Sequence, residues 1–227
     1  IVCLGDGGAI TLTFDLSIAD GPGPDFAIFE NAFGDEFLEL AWVEVSSDGA
    51  NFFRFANHSL TAGTVPFFGA SMQATNLAGL AGKYRQGFGT PFDLRDVAGV
   101  SPLLDVTDVR WVRLVDIVGD GSCTDSFGNA IYDPYPTESS AGFDLDAVGV
   151  IHYRMDCAPV LLRPEAPQFD CMAFTNWLYD LQAADRLDES AWTTVVSVTG
   201  RNEQVTLEDP GPAMPGRFYR LRRTPLP

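Results

Sequence analysis

Along the chain, apolar residues recur at every second position or in short runs closed by Gly, Pro, Asp and Asn. Ala9-Ile10-Thr11-Leu12-Thr13-Phe14 alternates as a strand with one buried face does. Phe26-Ala27-Ile28-Phe29 predicts a short buried strand, and Leu38 to Ser46 alternates again around Trp42, Val43 and Val45. Ser47-Asp48-Gly49 supplies turn chemistry before the next strand, Asn51 to Phe55. Val109 to Val118 and Ala147 to Tyr153 are further apolar strands. No repeating helical pattern separates them. The order argues against a βαβ fold and predicts an all-β, antiparallel jelly-roll sandwich.

Two long connections interrupt this pattern. Residues 56–92 are rich in Pro, Gly and Asn, with room for one short helix, and residues 119–142 are richer still in Gly, Asp, Ser and Pro. Loops of this length in a compact domain are usually functional or disordered. Phe127, Tyr132 and Tyr135 favour order in the second. Composition shifts near residue 156, where Ala158 to Pro167 carries three prolines and reads as a linker or edge strand. The predicted domains are therefore 1–155 and 156–227. In the second, strands are predicted at Trp177–Gln182, Thr193–Val198, Gln204–Leu207 and Arg217–Arg222. About 70 residues make a small core, one that a disulfide would help.

Charge sharpens the picture. Of 227 residues, 31 are Asp or Glu and 14 are Lys or Arg, for a net −17, and Lys83 is the single lysine. Residues 1–155 carry −14 of this and residues 156–227 carry −3. Such a surface repels phosphate backbones and excludes nucleic acid as a natural partner. It suits hard divalent cations, which take clustered carboxylate and carbonyl oxygens. An acidic surface that only aids solubility is the plainer alternative. No run of about 18 apolar residues is present, so no membrane span is predicted.

Two acidic segments bracket short strands. Asp25 precedes Phe26-Ala27-Ile28-Phe29 and Glu30-Asn31 follows it; Asp144 and Asp146 lie two apart in Gly142-Phe143-Asp144-Leu145-Asp146. On a strand, positions two apart share a face, and like charges crowded there need a cation or hydrogen-bond donors. Asp25, Glu30, Asn31, Asp144 and Asp146 are thus the candidate ligands of a calcium ion, with an exposed polar edge as the competing reading. Asp116, Asp120, Asp125, Asn129 and Asp133 form a third acidic stretch, but no Glu closes it at the EF-hand position. Asx turns explain that stretch equally well.

Catalytic arrangements are scarce. His152 lies in an apolar strand and reads as a packed core residue, while His58 sits in a polar loop and reads as exposed. There is no Gly-x-Ser-x-Gly, His-Glu-x-x-His or P-loop sequence. The chain is therefore expected not to be an enzyme, with no catalytic residues assigned. A paired-carboxylate glycosidase is the lesser alternative. Cys3, Cys123, Cys157 and Cys171 form no CxxC pair. An even count suits two disulfides in an oxidising compartment, Cys157–Cys171 closing a short loop and Cys3–Cys123 remaining; four buried thiols is the other reading. No leader is visible before Ile1, so any leader is taken as removed or omitted.

Trp42 to Phe52 and Val109-Arg110-Trp111-Val112-Arg113-Leu114 resemble strands of discoidin-like, galactose-binding-like jelly rolls. Residues 4–151 resemble a family of bacterial cell-surface proteins through Leu4-Gly5-Asp6-Gly7-Gly8, Gly23-x-Asp25-Phe26, Phe29-Glu30-Asn31-Ala32-Phe33, Gly79 to Tyr84, Tyr132-Asp133-Pro134 and Gly142 to Asp146. Residues 174–227 resemble short fibronectin-III-like β-sandwich domains of secreted bacterial proteins, through Trp177-x-Tyr179, Asp185-x-Leu187, Ala191-Trp192-Thr193 and Arg217 to Leu221. The resemblance implies a secreted or cell-surface module with plausible calcium binding. Glycan recognition is one version, with Tyr84, Tyr132 and Tyr135 as ligand-binding candidates beside Phe88. Self-assembly into a filament or surface layer is another. Members of the resembled family carry strands before the Leu-Gly-Asp-Gly-Gly segment. Strand addition by a second copy, or by an N-terminal fragment, is therefore expected at an open sheet edge.

Overall fold

The computed structural model describes residues 1–67, 71–136, 142–154, 162–163, 166–175, 177–186, 192–211 and 216–226. The described residues contain β-strands and two short 3-10 turns, Ala74–Asn76 and Leu94–Val97, and no α-helix. The chain divides into two units, Ile1–Arg154 and Met155–Pro227.

The strands of the first unit, in chain order, are β1 (Val2–Cys3), β2 (Ala9–Ile18), β3 (Phe26–Glu30), β4 (Ala41–Ser46), β5 (Phe53–Arg54), β6 (His58–Ser59), β7 (Leu77–Ala78), β8 (Leu80–Ala81), β9 (Thr90–Phe92), β10 (Val109–Asp116), β11 (Asp120–Thr124), β12 (Ala130–Tyr132) and β13 (Asp144–Val150). One sheet has the order β1-β13-β3-β9; the other has the order β2-β10-β4-β5, with β8 also on β4. Every pairing is antiparallel.

The two sheets share one core. Phe26, Ile28, Phe92 and Leu145 from the first meet Val43, Val45, Val109, Val112 and Leu114 from the second. The alternation of β2 is realised as read, with Ile10, Leu12 and Phe14 against this core and Thr11 and Thr13 exposed. Phe26, Phe55 and Phe92 pack ring on ring at centroid distances of 5.0–5.9 Å, which fixes the start of β3 beside β9. The architecture is an all-β sandwich.

A second buried cluster explains the long 56–92 connection. Leu38, Leu40, Val65, Met72, Leu77, Leu80, Ile117 and Ile131 pack together with Trp42. The described residues of this connection hold together by burying their own apolar side chains. The 119–142 stretch holds the hairpin β11–β12, and Asp125 brackets its turn. Asp125 Oδ1 accepts from the amides of Phe127 and Asn129, and Oδ2 from the Ser59 amide and Asn129 Nδ2. Most of the third acidic stretch is thus Asx-turn chemistry.

The second unit, taken by itself, has β14 (Leu162–Arg163), β15 (Ala166–Ala173), β16 (Trp177–Ala184), β17 (Thr193–Thr199), β18 (Glu203–Glu208) and β19 (Phe218–Pro225). They form two three-stranded sheets, β14-β15-β18 and β17-β16-β19. Cys171, Ala173, Tyr179, Leu181 and Leu207 make its small core. The end of the Pro-rich stretch already belongs to β15.

Three sequence expectations are corrected. No disulfide joins Cys3 to Cys123; Cys3 is exposed on β1, Cys123 is half-buried in β11, and both carry thiols. Cys157 lies outside the described residues, and so does its proposed loop with Cys171. His152 is not a core residue: it is half-exposed two positions past the end of β13 and sits 2.8 Å from Asp25. His58 is half-buried in β6, its ring against Phe127.

Candidate metal centre

The site forms at one end of the first unit, where strands from both sheets finish. β3 ends at Glu30, opposite Leu145 of β13, and the Asn31 amide donates to the Asp144 carbonyl at 3.1 Å. On the other side of β13, Cys3 pairs with Asp144 in register. From the second sheet, β10 ends at Asp116. Its Oδ1 accepts from the Phe143 amide at 2.7 Å and its Oδ2 from the Gly7 amide at 2.8 Å. The turn after β1 and the residue before β13 are thereby pinned onto β10. The Ile117 amide donates to the Leu40 carbonyl, and the Leu40 amide donates to Asp133 Oδ2 at 2.8 Å. Glu39 and Asp133 are carried to the same end.

Two glycines make this approach possible. Gly119 has φ +77°, and a Cβ there would fall 1.7 Å from Asp133 Oδ1. Gly142 has φ +74°, and a Cβ there would fall 2.5 Å from Asp116 Oδ1. Any other residue at either position meets both backbone strain and a carboxylate.

The carboxylates are deeply buried: Glu30 is 1% exposed, Asp116 2%, Asp133 3% and Glu39 7%. Burial, then the charges of Glu39 and Asp144, pushes Glu30 up to about 9; the amides of Ala32 and Asn31 offset part of this. The Ala32 and Asn31 amides lie close enough to act on Glu30 without making a well-formed hydrogen bond to either of its oxygens, and Asp144 Oδ1 is buried without one too. Burial pushes Glu39 up to about 8, with Asp144, Asp116 and Asp6 adding to it and the Gly142 amide opposing. Asp116 is raised by burial against the pull of the Phe143 and Gly7 amides. Asp133 lies well above the usual carboxylate range through burial, which the Leu40 amide opposes, and through the charges of Asp116, Glu39 and Asp6. The ion pairs of the described residues use other acids, and none engages Glu30, Glu39, Asp116, Asp133 or Asp144.

An ionised carboxylate held this way costs several kcal/mol unless it is compensated. Protons on some members are one remedy and a bound cation is the other. All the offered atoms are carboxylate oxygens, which select a hard cation of the calcium or magnesium kind over a soft one. The three orphaned oxygens on Glu30 and Asp144 fit such an ion, because each has a lone pair with nothing else to receive it.

Of the residues named from sequence, Glu30 and Asp144 come together here. Asp25 does not join them. It lies at the opposite end of β3, five residues from Glu30, or roughly 17 Å along an extended strand. Its buried carboxylate is taken up by the Gly21 amide, the Leu94 amide and His152 Nδ1, at 2.7–2.8 Å. It forms a separate acidic group there with Asp20 and Asp93. Asn31 turns its side chain to Gln86, whose Nε2 donates to Asn31 Oδ1 at 2.6 Å. Asp146 falls where the β13–β3 register slips between Leu145 and Ala147, and it is exposed. This bulge breaks the alternation that would have placed it beside Asp144.

Glu39, Asp116, Asp133 and Asp6 were not foreseen as ligands. Glu39 carried a usable signal: a charge between Leu38 and Leu40, both fully buried. The tyrosines occupy three settings. Tyr84 is partly exposed with Lys83 Nζ 5.5 Å from its ring centre, Tyr132 packs over Gly121 beside the second core cluster, and Tyr135 is partly exposed with its amide on the Val65 carbonyl. No helix of the described residues is long and apolar enough to cross a membrane. Comparison with protein-family models, curated proteins and solved structures returns no match to this chain.

Proposed function

We propose that this chain is a non-enzymatic, secreted or cell-surface binding or assembly module whose first unit, a jelly roll, is tied together by calcium. The second unit is a small fibronectin-III-like partner on the same chain. The observation that carries this reading is the Glu30 carboxylate, fully buried with both oxygens unpartnered, among acids drawn from both sheets. Glu30 and Asp144 would hold the ion, with Glu39 completing the set. The ion would supply the positive charge that the side chains there lack. It would join the end of β3 and the start of β13 to the segment before β4, and so lock one sheet to the other. Millimolar calcium outside cells suits a site of modest affinity of the kind extracellular modules use. The test is thermal unfolding of the chain in calcium and in EGTA. The proposal expects a higher melting temperature in calcium, and equal melting in both would remove it.

A second reading, assembly by strand addition, is favoured by one feature of the first sheet. β1 covers only Asp144 and Leu145 of β13, and beyond Leu145 that edge has no strand partner among the described residues. Unpaired N–H and C=O groups on such an edge accept an extended segment. Light scattering over a concentration series tests it: a mass fixed at that of one chain would count against assembly through this edge.

A further inference from the structure

We propose that the outer face of the second sheet carries an anion site, made by Arg54 and Arg113, that takes the carboxylate of a small hydroxy acid. It gives the binding-module reading above a ligand class and rests on that reading. It uses none of the calcium ligands, so this site and the calcium tie fail in different experiments.

The strand pattern places the residues. On β10, Val112 and Leu114 face the shared core, and Arg113 between them faces away; on β4, Val43 and Val45 face the core, and Glu44 faces away. Arg113 pairs in register with Glu44 on one side and with Thr11 of β2 on the other, and Glu44 pairs with Arg54 of β5. Thr11, Arg113, Glu44 and Arg54 thus make one row across four strands.

The two arginines share one acid. Arg113 Nε donates to Glu44 Oε2 at 2.5 Å, and Arg54 Nε and Nη2 lie 2.9 and 2.8 Å from Glu44 Oε1. Two guanidinium charges against one carboxylate leave a local surplus of one positive charge, on a unit whose residues sum to −14. Each guanidinium is also held over a ring, Arg113 at 3.9 Å from the centre of Phe52 and Arg54 at 4.0 Å from that of Trp42. Both forks are therefore set before a ligand arrives, which lowers the entropy cost of binding. Free donors remain on them. Arg113 Nη1 and Nη2 and Arg54 Nη1 meet no acceptor among the described residues, and the two side chains are 35% and 40% exposed.

The surplus selects the ligand. One negative charge balances the site, a dianion overshoots it, and a polyanion meets the repulsion of the whole acidic unit. A carboxylate matches a guanidinium fork in plane and spacing. Phe52 and Trp42 already carry the guanidinium groups on their faces, so ring stacking is not the second handle. Hydroxyls are: Thr11 is exposed beside Arg113, and Thr13 is exposed beside Trp111 in the next row. Each can donate and accept, which suits an acid with a hydroxyl group next to its carboxylate.

The experiment is an NMR titration of the isotope-labelled whole chain with sodium lactate, following the side-chain Nε–H signals of Arg54 and Arg113. EGTA is present throughout, so that calcium cannot bridge the acid to the other site. Saturable shifts of both signals are expected at millimolar lactate. Propionate, which lacks only the hydroxyl, is expected to bind severalfold more weakly, and the neutral amide of lactate is expected to give no shift. Arg113→Gln is expected to weaken lactate by about tenfold or more. Because Arg113 also holds Glu44, Thr11→Val serves as a second variant that touches no ion pair; it should bring lactate down to the affinity of propionate and leave propionate unchanged. No shift with lactate, equal shifts with its amide, or unchanged affinity in Arg113→Gln overturns the site. Equal affinity for lactate and propionate in the parent, or no effect of Thr11→Val on lactate, overturns the hydroxy acid as its ligand. None of these results alters the melting comparison in calcium and EGTA.

Discussion

Replacing Glu30 by leucine separates the two roles of this residue, a burden on the empty fold and an anchor for the ion. Glu30 is 1% exposed and its carboxyl oxygens accept no well-formed hydrogen bond, with only the nearby Ala32 and Asn31 amides to offset its burial. Leaving such a group unsatisfied costs about 1–3 kcal/mol, and leucine fills similar space without that penalty. In EGTA, Glu30→Leu should therefore be more stable than the parent by about 1–3 kcal/mol. At about 2–4 °C per kcal/mol for a chain of this size, the midpoint rises by roughly 2–12 °C. Calcium reverses the order. An ion at 100 times its dissociation constant stabilises the parent by about 2.7 kcal/mol, or roughly 5–11 °C. The leucine variant should lose half or more of that gain. Melting curves by circular dichroism in EGTA and in calcium read both arms, and the signature is that the two proteins exchange order. A variant less stable than the parent in EGTA would show that Glu30 has favourable partners within the protein. An undiminished calcium shift would show that it holds no ion.

Three further outcomes follow from the same geometry. Folded Glu30 near 9 and Glu39 near 8 stand above about 4.3 in an unfolded chain, so the folded state holds extra protons in between. In EGTA, stability should be fully present near pH 4 and be lost as pH rises through 8 to 9; melting that strengthens across that range would contradict this. Asp125→Ala strips the acceptor from two backbone amides of the β11–β12 turn and from the Ser59 amide of β6, and should cost about 1–3 kcal/mol in urea unfolding, with or without calcium. A change below about 0.5 kcal/mol would dismiss the turn as a source of stability. Asp25→Asn turns an N–H donor toward one of the two amides that Asp25 now accepts from, and should cost a similar amount while leaving the calcium shift intact. A lost calcium shift would return Asp25 to the ion.

The alternation of β2 and the apolar runs of β3, β4 and β10 made the all-β class legible, because each strand has one or both faces in the core. The order of the sheets was not legible. It depends on contacts such as Asp116 with Gly7, which span more than a hundred residues and leave no local pattern. Of the candidate site, only Glu30 and Asp144 were visible, for the same reason. Glu30 and Asp144 sit at strand ends, where a local reading finds them. Glu39, Asp116 and Asp133 come from segments that only the folded chain brings together. Asp25 misled because the two ends of one strand look adjacent in sequence, while an extended backbone holds them far apart. Asp146 misled because period-two reasoning assumes an unbroken ladder, and the bulge after Leu145 breaks it.

The most direct test is anomalous diffraction from crystals grown with calcium. A peak should lie about 2.3–2.6 Å from carboxylate oxygens of both Glu30 and Asp144. A map with no peak there, or with density only beside Asp20, Asp25 and Asp93, would contradict a cation tie between the two sheets at this end of the sandwich.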